Sequence, residues 1–313
     1  MRRETMKQDF NRPNDMESGF KSGRVKLVYF SGTGGTARVA LSIAQRLKDR
    51  GIAVTTQPLE GCREVHSSSD EYGNNDLLIL VYAVHALDAP EPVYEWIKTV
   101  QSGNGIPAAV ISVSGGGEVW PNTACRVSCI HALERKGFHV FYERMIIMPS
   151  NVLIATREHL AVRLLQILPA KLEKTVADIL AGVTRRSTPS ITARGMAFLF
   201  KLEKPYAKFF AKTLSIRETC TGCGWCARNC PRRNIAMIQN RPTFGWRCII
   251  CLRCLYGCPQ KAIFTKLLSF IVLKEGYNLN KLEERKADIK LEPIEELAPG
   301  FLFAGLRDYL LSD

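Results

Sequence analysis

Two runs, CTGCGWCARNCP from Cys220 to Pro231 and CIICLRCLYGCP from Cys248 to Pro259, place eight of the chain's 11 cysteines at matching positions 28 residues apart. Three thiols at C-x-x-C-x-x-C converge from one tight stretch of backbone. The fourth stands one residue further off, is followed by Pro, and is directed elsewhere. Zinc takes paired C-x2-C ligands in closed tetrahedral sites and has no use for a third thiol at regular spacing. A disulfide framework is disfavoured too: the sequence shows no apolar export signal, and cytosolic thiols stay reduced. A radical-generating C-x3-C-x2-C site also fails, because Cys125 and Cys129 have the first spacing but Ala132 occupies the third position. The runs are metal-binding by pattern.

With its trailing CP, each run is similar to one half of a bacterial two-cluster ferredoxin, and the apolar continuations CPRRNIAMI and CPQKAIF match as well. In that family the fourth cysteine ligates the other cluster. The resemblance therefore implies one [4Fe-4S] cluster on Cys220, Cys223, Cys226 and Cys258, and a second on Cys248, Cys251, Cys254 and Cys230. Trp225, Trp246 and Tyr256 lie beside ligands, as shields of the clusters or as plain packing.

Length and charge bound the rest. A chain of 313 residues, 46% hydrophobic and 23% charged, is expected to fold into two domains. Apolar runs such as AFLF and LLSFIVL fall far short of the roughly 20 residues that cross a bilayer, so a cytoplasmic protein is expected. Residues 1–184 carry 21 Lys and Arg against 19 Asp and Glu, residues 185–266 carry 16 against 2, and residues 267–313 carry 6 against 9. The net +13 is thus concentrated around the cysteines. Acidic partner proteins, nucleic acid or an anionic membrane surface would suit it, as would the negative charge of the clusters themselves.

The N-terminal half reads as alternating strand and helix. Strands are expected at Val25–Phe30, Ile52–Leu59, Leu77–Val84, Ala108–Val113 and Phe138–Met148, and helices at Thr36–Arg50, Pro92–Gln101, Thr123–Lys136 and Arg157–Val183, the last bending at Pro169. This is a five-stranded doubly wound parallel sheet, α/β in class, ahead of a small α+β domain. The expected layout is a disordered leader over 1–23, the α/β domain over 24–184, a basic connector over 185–216, the cysteine domain over 217–266 and a tail over 267–313. The tail is expected to dock against either domain, and opposite charge favours the cysteine domain.

The stretch VKLVYFSGTGGTARVA sends a buried strand into a loop of Ser31, Gly32, Thr33, Gly34, Gly35 and Thr36 that opens a helix. Such a loop presents backbone amides and a helix dipole to phosphate. Gly32, Gly34 and Ala37 also satisfy the dinucleotide pattern G-x-G-x-x-A, but the interleaved hydroxyls suit a phosphomonoester, and no acidic residue stands cleanly about 20 positions on to take a ribose. FMN is preferred to NAD, and a plain glycine turn is the remaining alternative.

Here the chain resembles the flavodoxin family, whose loop S/T-x-T-G-x-T is matched by Ser31, Thr33, Gly34 and Thr36, with Gly35 at the usual Asn. The resemblance implies that a flavin ring lies between the loops after the third and fourth strands. These are Ala83, Val84, His85 and Ala86, with Ala83 and His85 in place of the family's Pro and Tyr, and Ser114, Gly115, Gly116 and Gly117. Trp120 would stack on the ring or cap the next helix, and Cys62, Cys125 and Cys129 are expected to be buried thiols.

Together the two parts resemble flavodoxin-ferredoxin fusions of the EFR type. That resemblance implies an electron-transfer protein joining FMN to two [4Fe-4S] clusters, with no catalytic acid or base, docking acidic redox proteins around Arg232, Arg233 and Arg247. The alternatives are a flavoenzyme reducing a small molecule, and a nucleic-acid binder for which no recognised module is found. The basic, aromatic connector MAFLFKLEKPYAKFFAKTLSI is expected to touch membrane surfaces.

Overall fold

In the computed structural model the residues described are 23–60, 75–201, 206–285, 293–297, 300 and 304–312. Residues 1–22 of the expected leader, and Cys62, lie outside them. Five strands, β1 (Arg24–Phe30), β2 (Ala53–Pro58), β3 (Leu77–Ala83), β4 (Pro107–Ser114) and β5 (His139–Ile147), pair in parallel in the order β2-β1-β3-β4-β5. This is the flavodoxin-like order, whose crevice lies where strand succession reverses, between β1 and β3. Burial follows position. The central β3, LLILVYA, is buried along almost its whole length, whereas the edge strand β2 has only exposed and half-buried residues.

Helices α1 (Gly35–Lys48) and α4 (Glu158–Leu180) cover one face of the sheet, and α2 (Glu91–Thr99) and α3 (Val127–Arg135) the other. Gly34 caps the start of α1, and its φ of 102° is open to glycine at little cost. α4 runs through Pro169 without interruption. The single helix expected over Thr123–Lys136 is instead a 3-10 turn at Asn122–Ala124 followed by α3. Arg126 stands between them, and its fully buried guanidinium binds Glu118, Glu143 and Ser112.

After α4 the chain returns along the edge of β5, where Arg185 exchanges backbone hydrogen bonds with Phe141 and Glu143. Two helices follow, α5 (Ile191–Lys201) and α6 (Ala207–Lys212). The cysteine domain then pairs β6 (Leu214–Ile216) with β9 (Ile263–Thr265), and β7 (Ile235–Ile238) with β8 (Arg241–Phe244), both antiparallel. Two one-turn helices, α7 (Trp225–Arg228) and α8 (Arg253–Tyr256), pack against each other between them.

The tail corrects the charge-based expectation. Its first residues touch the cysteine domain, where the Leu273 amide donates to Tyr256 Oη at 2.9 Å. From there it crosses to the α/β domain. Leu279, which opens α9 (Leu279–Glu284), joins that core, and Leu306 and Leu310 of α10 (Ala304–Leu311) pack with Ile147, Leu160 and Leu164. Burying leucines at about 1.5–3 kcal/mol each outweighs a diffuse attraction between exposed charges that salt screens within about 10 Å.

Candidate redox centre

The two cysteine runs fold alike. Gly222 and Gly224 of the first have φ of 70° and 71°, and their counterparts in the second, Ile250 and Leu252, have 53° and 60°. Arg233 and Lys261 correspond in the same way, each at 46°. Left-handed backbone is unfavourable for Ile and Leu, so its recurrence at matched positions marks a conformation imposed by the site. Amide-to-sulfur hydrogen bonds repeat too: Asn234 N to Cys230 Sγ and Ala262 N to Cys258 Sγ, both at 3.3 Å.

Each run sends one thiol across. Cys230 joins Cys248, Cys251 and Cys254 around one cavity, lined by Phe210, Leu252 and Leu255. Cys258 joins Cys220, Cys223 and Cys226 around a second, walled by Trp225, Met237 and Ile263. The sulfurs surround space instead of meeting at a point. Among the described residues no three His, Cys, Asp or Glu side chains are grouped to hold one metal ion. A cubane suits this arrangement, because each thiolate binds a different iron.

The two sets differ in exposure. Cys223 is exposed, while burial pushes the Cys251 thiol up to about 12 and raises Cys254 well above the ordinary thiol value. Trp225 packs its ring against Gly257, where a Cβ would stand 1.9 Å from it. Trp246 does not wall either cavity; it is exposed, edge-on to Phe209, with Lys212 over its ring. Cys125 and Cys129 are fully buried.

The loop at the end of β1 has two sides. On one, Gly35, Thr36 and Ala37 open α1 with amides that no carbonyl of the helix can reach, and Ser31 Oγ accepts from Gly34 N at 3.2 Å. Asn151 Nδ2 donates to Thr33 Oγ1 at 2.8 Å. The other side bears on the second cysteine run. Arg253 donates to the carbonyls of Ser31 and Gly32, both at 2.7 Å, and to Glu60. Gly32 packs so closely that an added Cβ would meet the Cys251 carbonyl oxygen at 2.9 Å.

The loop after β3 meets the same run. His85 Nδ1 lies 3.1 Å from the Ile249 carbonyl, and its ring packs edge-on to Phe30. Ala83 and Val84 are half-buried and Ala86 is exposed, at a φ of 48°. The loop after β4 is held apart from this contact: Asn122 donates to Ser114 Oγ and the Gly117 carbonyl, Gly115 faces Ser150, Gly116 is open, and Gly117 faces Gly305 and Leu306 of the tail. Trp120 neither stacks in the crevice nor caps a helix from the core; it is 57% exposed and its Nε1 donates to Thr192.

Arg232 likewise departs from its expected place on an open docking face. It is 5% exposed and bound to Glu95 and Glu91 of α2, so it joins the domains. Asn151 and Glu60 carry no sequence motif that marks them as site residues. The position of Asn151, just after β5, is the signal that points to the crevice end of the sheet.

Residues 212–259 match the family model described as a 4Fe-4S dicluster domain. No curated protein matches the chain. Among solved structures, a flavodoxin from the domain Archaea is 13% identical, with 50% of this chain and 96% of that chain covered at a TM-score of 0.36. The Streptococcus pneumonia TIGR4 flavodoxin is 19% identical, with 51% and 99% covered at 0.37. Oxidised Flavodoxin 1 from Bacillus cereus is 16% identical, with 52% and 99% covered at 0.35. Its own strand order and its cysteine domain show that the chain joins a flavodoxin-like α/β domain to an iron-sulfur domain of the 4Fe-4S dicluster kind, the organisation of a flavodoxin-ferredoxin fusion.

Proposed function

We propose that this protein is an electron carrier that holds two [4Fe-4S] clusters and FMN and passes electrons between carriers that deliver them in pairs and carriers that take them singly. The observation that carries this reading is the gathering of eight thiols into two crossed sets of four, one of them built against the crevice end of the flavodoxin-like sheet. Bound FMN exchanges one or two electrons and each cluster exchanges one, and the protein supplies position and potential.

The residues fit these groups in a definite way. Cys220, Cys223, Cys226 and Cys258 would hold one cluster, and Cys230, Cys248, Cys251 and Cys254 the other. The amides of Gly35, Thr36 and Ala37, with the hydroxyls of Ser31, Thr33 and Thr36, would hold the phosphate. Phe210, Leu252 and Leu255 exclude water from the second set, whose Cys251 touches Gly32. The exposed Cys223 places the first set nearer solvent. Docking of acidic redox proteins would then fall to the exposed Arg228, Arg233, Arg241 and Arg247, with Arg232 withdrawn. Reduction of a small molecule at the flavin needs an open face over the ring loops. There His85 and Ile249 are already joined, which favours the carrier.

That same contact supports a second reading, in which the flavodoxin-like domain serves as a dock for the second cluster without a flavin of its own. Anaerobic purification with iron, sulfide and flavin analysis separates the two. The carrier reading expects about eight irons and one FMN per chain, with flavin and clusters reduced in communication as followed by visible absorbance and EPR. Eight irons with no FMN retained after reconstitution would establish the second reading. Failure to bind iron would overturn both.

A further inference from the structure

An amphipathic helix of a globular protein turns its large apolar side chains inward and its small or polar ones outward. α5 does the reverse. Its buried residues are Ala193 and Ala197, packed with Ala124 against Leu87 and Val127. On the opposite side, Ile191 is 87% exposed, Phe198 64% and Leu199 55%. At 100° per residue Ile191 and Phe198 share one azimuth, with Gly195 and Leu199 to one flank and Arg194 to the other. Ser190 Oγ caps the helix by accepting from Ala193 N at 3.2 Å, so this orientation is fixed from its first turn.

The apolar display extends beyond α5. Trp120, bonded through Nε1 to Thr192, is more than half exposed. On α6 the inward Phe210 is buried at the cavity of the second cysteine set, while Tyr206 and Phe209 face out and pack in succession towards the exposed Trp246. Lys208 is exposed beside them, and Lys212 lies over the Trp246 ring at 4.8 Å. Residues 185–216 carry 7 Lys and Arg against a single acidic residue.

We infer that α5 and α6 form a docking face for an anionic lipid surface, on which the protein lies without crossing it. Three features favour lipid over a protein partner. Large apolar side chains project from both helices, Trp and Tyr accompany them as they do at bilayer interfaces, and the basic excess matches acidic headgroups. Among the described residues no helix is long and apolar enough to span a membrane, so the contact is peripheral. This inference does not depend on whether FMN is bound.

Flotation of the iron-loaded protein with phosphatidylcholine vesicles, with and without phosphatidylglycerol, tests it. Flotation is expected only with the anionic vesicles. The double variant Phe198→Ser/Leu199→Ser should lower partitioning more than about tenfold, and Lys208→Ala about fivefold, with cluster absorbance unchanged in both. No flotation of the wild type, equal flotation with both vesicles, or flotation unmoved by the variants would overturn it. So would a wild-type dimer in sedimentation that Phe198→Ser/Leu199→Ser dissolves, because the face would then belong to a second copy of the chain.

Discussion

Two glycines show how differently one residue type is used. Gly32 sits in what reads from sequence as a phosphate loop, yet its missing Cβ is required by the Cys251 carbonyl of the other domain, 2.9 Å from where that carbon would be. Backbone neighbours cannot swing aside, so Gly32→Ala should cost about 1–3 kcal/mol. The effect should appear as a lower unfolding midpoint and faster proteolysis of the connector, with α1 intact by circular dichroism. Gly195 is the opposite case, because it lies in a helix with nothing within 4 Å of its added carbon. Gly195→Ala should stabilise by roughly 0.5–1 kcal/mol, and thermal unfolding of the iron-loaded protein would show it. Arg126 is the residue whose loss should matter most to the α/β domain. Its guanidinium bonds Glu143 at 2.5 Å, and both side chains are almost wholly buried. Arg126→Ala would leave the buried Glu143 carboxylate to Ser187 and Arg186, and should destabilise by about 3 kcal/mol, the lower end for a broken buried pair, measured by denaturant titration, whereas a surface pair would be worth under about 1 kcal/mol.

At the scale of elements, the crossing of ligands between the two cysteine runs makes a prediction that a simple one-run, one-cluster arrangement does not. Cys230 is nearest in sequence to the first run but lines the cavity of the second. Cys230→Ala should therefore leave about four irons of eight, and adding Cys251→Ala should remove no more, since both belong to one set. Pairing Cys230→Ala with Cys223→Ala should instead remove nearly all iron. If the first pair proved as damaging as the second, the crossed sets would be wrong. Much of this was legible in the chain. Thiol spacing is dictated by a rigid object of fixed size, and β3 is apolar along its length because both of its faces are covered. What was not legible depends on long-range partners. The break before α3 arises from Arg126 reaching Glu118 and Glu143, which local pattern does not display. The docking of the tail on the α/β domain followed from a few leucines, while net charge pointed the other way. The flavin-ring loops were read from glycines and resemblance, and neither foretells that Ile249 approaches His85.

For the whole molecule the decisive question is what holds the iron-sulfur domain against the crevice end of the sheet. Two arginines span the junction: Arg232 to Glu91 and Glu95, and Arg253 to the carbonyls of Ser31 and Gly32 and to Glu60. Glu60, Glu91 and Glu95 are each more than 40% exposed, so the ionic part of these contacts is open to water and salt and contributes little. The two carbonyl bonds of Arg253 are different. They are part-buried, short and made by a charged donor, a type worth about 1.5–3 kcal/mol each. Docking should therefore resist salt and depend on Arg253. Arg253→Ala is expected to keep about eight irons, because Arg253 is not a ligand, while its radius of gyration in small-angle X-ray scattering rises above that of the wild type. Raising the salt on the wild type should leave the radius nearly unchanged. If instead salt alone opened the molecule, the acidic pairs would be the true clamp. If Arg253→Ala stayed compact, the apolar packing of Ile249 and Cys251 on the sheet's core would be sufficient without it. An opened Arg253→Ala protein also separates the second cysteine set from the loop of Ser31 to Thr36. On the carrier reading, electrons that pass directly between FMN held at that loop and a cluster held by the second set should then do so more slowly, although each centre would still be reduced on its own.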